Sequence, residues 1–208
     1  MKVEIRETGP MPVNTYILKD ENSKEAVIID VGGDFENIKQ KLDAEKYTVK
    51  YILNTHGHFD HVLGEPYIQK NYPQIPIYMS KDDLPHIINM KEEMNFFDMT
   101  STVESLKLDS FIDENSQLFI GKYKIQVLAT PGHSKGSLSF YTDGKLFSGD
   151  TIFSRSIGRT DFYDGDFDAI INSIMTKLTV LPDDTIVFPG HGLSTTIRNE
   201  KLFNTYLT

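Results

Sequence analysis

Three of the chain's six histidines and one aspartate fall within seven residues, Thr55-His56-Gly57-His58-Phe59-Asp60-His61. Imidazole and carboxylate are the donors that divalent zinc, iron and manganese prefer. Crowding such groups together costs free energy unless a cation offsets their polarity and charge, so the run reads as a metal site. Further donors sit directly after apolar runs and beside glycine: His133 in Thr130-Pro131-Gly132-His133, Asp150 in Ser148-Gly149-Asp150, and His191 in Pro189-Gly190-His191-Gly192. Glycine permits the tight turn that aims a neighbouring side chain into a site. Taken singly, these three would be ordinary turn residues; their shared context marks them as candidates. His86 follows Pro85 in a helix candidate, lacks that context, and reads as a surface or packing residue.

The bulk properties narrow the chemistry. A chain of 208 residues suffices for one large domain or two small ones without covalent staples. It has no cysteine, so any metal must be held by His, Asp, Glu or backbone groups. The formal charge of −9 argues against nucleic acid or an anionic membrane as the main partner. A small anionic substrate stays open, since one or two local cations hold it. The first six residues alternate like a strand and lack the apolar stretch of a secretory signal. No run reaches the ~20 apolar residues that span a bilayer. The expectation is a cytoplasmic protein that does not enter membranes; the sequence carries no sign of its oligomeric state.

The elements that must position these donors follow from pattern. Residues 3–6 and 14–19 read as strands split by Gly9-Pro10-Met11-Pro12. Residues 26–29 read as a buried strand running into Asp30-Val31-Gly32-Gly33, with Asp34 capping a helix to about Ala44. A strand over 48–54 delivers the His-rich run, and a helix from Asp60 or His61 to about Tyr72 should stop before Pro73. Residues 75–79 read as a short strand, and Ser80 caps a further helix. Residues 86–112 mix acids with Met90, Met94, Phe96, Phe97 and Met99 and match no period; a lid or helical excursion near a site fits them. Strands over 117–120 and 123–129 flank Gly121-Lys122, and strands over 137–141 and 145–148 flank Thr142-Asp143-Gly144, two hairpin signals. A helix over 166–178 and a strand over 185–188 complete the layout. Strands followed by helices occur twice, which fits mixed sheets covered by helices in one domain.

The ordered set His56-x-His58-x-Asp60-His61, His133, Asp150 and His191 resembles the metallo-β-lactamase superfamily, and most closely its small glyoxalase II-like hydrolases, over residues 30–191. The resemblance implies an α/β (α+β) fold, an αββα sandwich of two mixed sheets flanked by helices, with residues 1–208 as a single domain. It also implies that His56, His58 and His133 bind one metal, that Asp60, His61 and His191 bind a second, and that Asp150 bridges them. Seven protein ligands are too many for one ion but suit two. The implied cofactors are two divalent ions, zinc first, with iron and manganese matching the same donors. A hydroxide shared by the metals would be the nucleophile, and Asp60 would orient it as well as ligate. Asp30 would orient the loop that carries the histidine run.

The resemblance also points to a substrate class. True metallo-β-lactamases usually lack an aspartate at the bridging position, and Asp150 therefore favours thioester hydrolysis. Glyoxalase II carries a Gly-Lys pair after that aspartate which binds glutathione; Gly158-Arg159 stands in its place, and Arg159 can fork to a carboxylate. The chain stops 17 residues after His191, too soon for the helical domain that supplies further glutathione contacts. The expected partner is thus a small-molecule thioester of glutathione or another thiol. The stretch Gly158-Arg159-Thr160-Asp161-Phe162 also resembles persulfide dioxygenases of the superfamily, which bind one iron; this is the alternative reading. A metal-binding protein without turnover is the third.

Overall fold

The computed structural model describes residues 1–99, 106, 108 and 110–207. Strands β1 (Lys2–Thr8), β2 (Val13–Asp20), β3 (Glu25–Ile29), β4 (Thr48–Leu53) and β5 (Ile77–Tyr78) form one sheet in that order. β1, β2 and β3 pair antiparallel, while β3, β4 and β5 run parallel. The second sheet has the order β13-β12-β9-β8-β7-β6, built from β6 (Leu118–Ile120), β7 (Tyr123–Ala129), β8 (Leu138–Thr142), β9 (Lys145–Gly149), β12 (Ile186–Pro189) and β13 (Thr195–Thr196). β12 runs parallel to β9 and the other pairs are antiparallel. Between β9 and β12 lie a small hairpin, β10 (Ile152–Phe153) with β11 (Ser156–Ile157), and helix α5 (Phe167–Ser173). The fold is the expected pair of mixed sheets flanked by helices.

The layering is written in side-chain alternation. In a strand buried on both faces, successive residues enter opposite layers. Val27 and Ile29 of β3, with Tyr16, Leu18 and Leu53, pack against Ile125, Val127, Phe140 and Phe147 of the second sheet. Ala26 and Ile28, on the other face, pack against helices α1 (Phe35–Ala44) and α4 (Leu84–Phe96) through Phe35, Ile38, Leu42, Ile87 and Met90. Behind the second sheet, Leu146 and Val187 meet Ile170, Ile174 and Leu178, and Ile197 of helix α6 (Ile197–Phe203).

Several expected elements differ in detail. The helix expected over 60–72 is two pieces, α2 (Phe59–Val62) and α3 (Glu65–Asn71). Gly64 donates its N–H to the Val31 carbonyl at 2.9 Å, which ties the break to the loop after β3; a Cβ there would come within 2.8 Å of Val31 Cγ1. Asp34 precedes α1 in the left-handed region, with φ of 57°, and makes no capping hydrogen bond from its side chain. Ser80 does accept from the Asp82 N–H, but it caps a single 3₁₀ turn ahead of α4. Asp166 caps α5 through Ala169 N–H, and the helix expected to 178 changes there to a wider turn, with Thr179 N–H donating to the Ile174 carbonyl five residues back. The β10–β11 hairpin, β13 and α6 were not legible in the pattern. Of residues 86–112, the first part is helix α4, while 100–105, 107 and 109 lie outside the described residues. No helix among the described residues is long and apolar enough to cross a membrane.

The two sheets are also joined by hydrogen bonds at one end. Asn14 of β2 donates its N–H to the Gly190 carbonyl at 2.7 Å, and its side-chain amide to the carbonyls of Pro189 and Gly192 at 3.0 and 2.9 Å. Tyr16 donates its hydroxyl to the same Pro189 carbonyl.

Candidate metal centre

All seven expected donors converge at that end, because β3, β4, β7, β9 and β12 deliver their C-terminal ends to it. β4 leads to His56 and His58, and α2 carries Asp60 and His61. β7, β9 and β12 lead to His133, Asp150 and His191. His56, His58 and His133 form one group, with ring centroids 4.6–4.8 Å apart. Asp60, His61 and His191 form another, with the two imidazole Nε2 atoms 3.3 Å apart and Asp60 Oδ2 at 3.3 Å from His191 Nε2. Asp150 lies between: its Oδ2 is 3.6 Å from both His133 Nε2 and His191 Nε2, and its Oδ1 is 3.5 Å from His61 Nε2.

Two close backbone approaches make room for this packing. A Cβ on Gly190 would fall 2.1 Å from Asp150 Oδ1 and 2.7 Å from His61 Cε1. A Cβ on Gly158 would fall 1.8 Å from the Asp150 carbonyl oxygen and 3.2 Å from His133 Nδ1. Both positions accept glycine alone without movement of a donor.

Outer groups orient the donors. Asp30, at the end of β3 with φ of 54°, is fully buried. Its Oδ1 accepts from Thr55 N–H at 2.8 Å, and its Oδ2 from Thr55 Oγ1 at 2.8 Å, with His61 Nδ1 at 2.9 Å. His133 Nδ1 lies 2.8 Å from the Arg159 carbonyl, and His191 Nδ1 lies 2.8 Å from the Pro12 carbonyl. In each case the ring nitrogen that faces an oxygen acceptor is placed to donate to it, so that the other nitrogen can offer its lone pair to a cation at the centre. Asp83, missed in the sequence, holds two donor loops together. Its carboxylate accepts from Gly57 N–H at 2.8 Å and Ser134 Oγ at 2.7 Å, and from Gly136 N–H.

The electrostatics divide the centre. Burial, reinforced by neighbouring imidazoles, pushes His56 well below the ordinary histidine value and His58 down to about 3, so both are neutral donors. Burial opposes charge on His61 too, but Asp60, Asp150 and Asp30 override it and hold the imidazole well above its usual range. His191 is raised against burial by its hydrogen bond to Asp60 and by Asp150. Asp60 and Asp150 are pulled below the carboxylate range, against burial, chiefly by His61. This corner demands positive charge, which protons on the histidines supply and which a cation supplies by displacing them.

The donor set fits divalent metals. Donors about 2.1 Å from a tetrahedral ion stand about 3.4 Å apart, and the separations of 3.3–3.6 Å around Asp150 and His191 are of that size. His56 Nε2 and Asp150 Oδ1 are buried without a hydrogen-bond partner, which a metal bond would satisfy.

The centre forms the floor of a cavity of about 630 Å³. Arg159 lies at its rim, where its Nε and Nη2 meet Asp161 at 2.9 and 3.0 Å and its guanidinium covers the Phe162 ring at 4.5 Å. His86 is a wall residue rather than a surface one: it is 1% exposed, between Glu93 at 2.5 Å and Asp164 at 3.0 Å. Burial opposes its charge, but those two hydrogen bonds push it up to about 10. Its i+7 spacing to Glu93 on α4 was a readable helix-face signal; Asp164, 78 residues away, was not.

The family model of the metallo-beta-lactamase superfamily matches residues 8–191. The hydroxyacylglutathione hydrolase GloC of Haemophilus influenzae is 34% identical over 210 residues, covering 100% of this chain and 98% of that protein. The crystal structure of the BLEG-1 B3 metallo-beta-lactamase superposes with a TM-score of 0.87 at 35% identity, covering all of both chains. The crystal structure of TTHA1623 in a di-iron-bound form gives a TM-score of 0.85 at 32% identity, covering 99% of this chain and 100% of that one.

Proposed function

The chain belongs to the metallo-beta-lactamase superfamily, and from that premise we propose that it is a two-metal hydrolase of thioesters. The observation that carries this reading is the place of Asp150, whose one carboxylate oxygen stands 3.6 Å from a histidine of each donor group. His56, His58 and His133 would hold the first ion and Asp60, His61 and His191 the second, with Asp150 placed to serve both. Zinc is the first choice for an all-nitrogen-and-oxygen set; iron and manganese suit the same donors. When bound, the metals bring the pKa of water toward 7 and polarise a carbonyl.

The chain's own residues supply the rest. Asp60, held ionised in the floor, orients the attacking water as well as ligating. Asp30 holds the His61 ring in place, and Asp83 sets the spacing of the two histidine loops. Arg159 meets an anionic group of the thiol carrier at the rim, sharing its fork with Asp161. The relative named hydroxyacylglutathione hydrolase supports the thioester class.

The test is metal analysis of protein purified without added metal, beside anaerobic hydrolysis of S-lactoylglutathione and other acyl-thiols. Two ions per chain with turnover is the expected result, and His58→Ala should lose both metal and turnover. Full turnover in that variant overturns the mechanism, as does an inert protein carrying two ions. A second reading is oxygen-dependent oxidation of a persulfide at a single iron. The di-iron-bound TTHA1623 structure supports iron as an occupant of such a donor set, though as two ions rather than one. Oxygen uptake with glutathione persulfide, at one iron per chain, is the result that selects it.

A further inference from the structure

The cavity above the donors is walled by rings as well as by charges, and its exposed lining is mostly apolar. Phe162 packs edge-on to His58 and His133, with centroids 5.0 and 5.8 Å away. Phe153 lies 6.5 Å from His191, so an aromatic ring flanks each donor group. Phe97, packed on Phe59 at 5.5 Å and edge-on to Phe96 at 5.3 Å, extends the wall outward, and Ile157 and Met11 border it. Phe96, at the outer end of this wall, is 77% exposed.

The charged groups of the same wall are already matched. Arg159 is the one Lys or Arg among the described lining residues, and its fork is engaged by Asp161. His86 lies between Glu93 and Asp164. A small polar acyl group therefore leaves most of this surface bare, whereas an apolar one removes it from water. The volume of about 630 Å³ is that of a site for a drug-sized ligand. The thiol carriers of thioesters are polar and charged; they suit the rim, where the side chains of Arg159 and Asp161 are 58% and 68% exposed.

We propose that the acyl group of the substrate is apolar, a medium-length alkyl or arylalkyl chain seated against Phe162, Phe153 and Phe97, in place of a small hydroxyacyl group. This rests on the thioester-hydrolase reading above and names its substrate more closely. No new step is added: water adds to the acyl carbonyl, the C–S bond breaks, and the thiol leaves with a proton.

The experiment uses the metal-loaded full chain and two substrate series. One holds glutathione constant and varies the acyl group through lactoyl, hexanoyl and phenylacetyl; the other holds hexanoyl constant and varies the thiol. The expected result is a kcat/KM at least about tenfold higher for hexanoyl and phenylacetyl than for lactoyl, the scale on which apolar pockets discriminate. Phe162→Ala, and separately Phe153→Leu, should lower kcat/KM more for hexanoyl than for lactoyl, mostly through KM. Turnover of lactoyl equal to or better than the apolar substrates overturns the inference and leaves the hydrolase reading standing. A preference that follows the thiol and ignores the acyl group overturns it too. Absence of turnover for every thioester, with metal content verified, removes both.

Discussion

Asp30 Oδ2 lies 2.9 Å from His61 Nδ1, with both side chains closed to solvent. A carboxylate behind a ligating imidazole fixes its tautomer and raises its basicity, and removing such a partner costs about 10–100-fold in metal affinity. Asp30→Asn is expected to weaken metal binding by that factor in a chelator competition, with an unchanged far-ultraviolet circular dichroism spectrum.

Asp83 joins the loop of Gly57 to the loop of Ser134 and Gly136 from a fully buried position. Asp83→Ala strands three donors and should cost on the order of 3 kcal/mol of stability. Metal affinity should fall with it, because the His58–His133 spacing is no longer held. Urea unfolding and metal titration of one preparation read the two effects.

Gly190→Ala would press a methyl group onto Asp150 and His61. Overpacking of this kind costs about 1–3 kcal/mol. Metal content by elemental analysis should drop even when the variant is folded, since both displaced groups are donors.

Chelation should lower the melting temperature, because the folded state alone assembles all seven donors. Added back at about a hundredfold excess over its Kd, a metal restores about 2.7 kcal/mol. Calorimetry across a series of metal concentrations should show a rising Tm; a Tm indifferent to metal would refute the assignment.

Glu65 is fully buried, and burial pushes its carboxyl well above the ordinary value of 4.5. The folded state then keeps a proton that the unfolded chain releases, so stability is full below pH 4.5 and declines as pH rises, by up to about 1.4 kcal/mol per unit. Glu65→Gln removes that decline. Its stability relative to the parent should be greater at pH 8 than at pH 5 in denaturant titrations.

How much of this was readable from residue order depended on distance along the chain. The donors were legible because four crowd into one short run after an apolar strand and the other three each follow an apolar strand and a glycine, so local pattern and chemistry coincide. His86 is the packing residue that the sequence offered beside a surface one; its partners Asp164 and Tyr163, which meet it at the cavity wall, lie far off in sequence and were not legible. The break at Gly64 was hidden by an unbroken helical period, because the Val31 carbonyl that captures its N–H is a tertiary partner. The hairpin from Ile152 to Ile157 has strands of two residues each, too short for any alternation to show. For Arg159 the sequence left open a fork to a substrate carboxylate or an ion pair with the nearby Asp161 or Asp164, and the structure shows the pair with Asp161.

The bonds from Asn14 and Tyr16 to the Pro189–Gly192 segment tie a strand of the first sheet to the loop that carries His191. The donors are thus divided between two halves of the molecule, with Asp60 and His61 on one and Asp150 and His191 on the other. Metal affinity therefore gauges how firmly the halves dock. A substitution in their shared interior, such as one that loosens Tyr16 against Phe147 and Phe188, would register as weaker metal binding although none of these residues is a donor. Selection for a tighter centre would act on that interior as strongly as on the donors themselves.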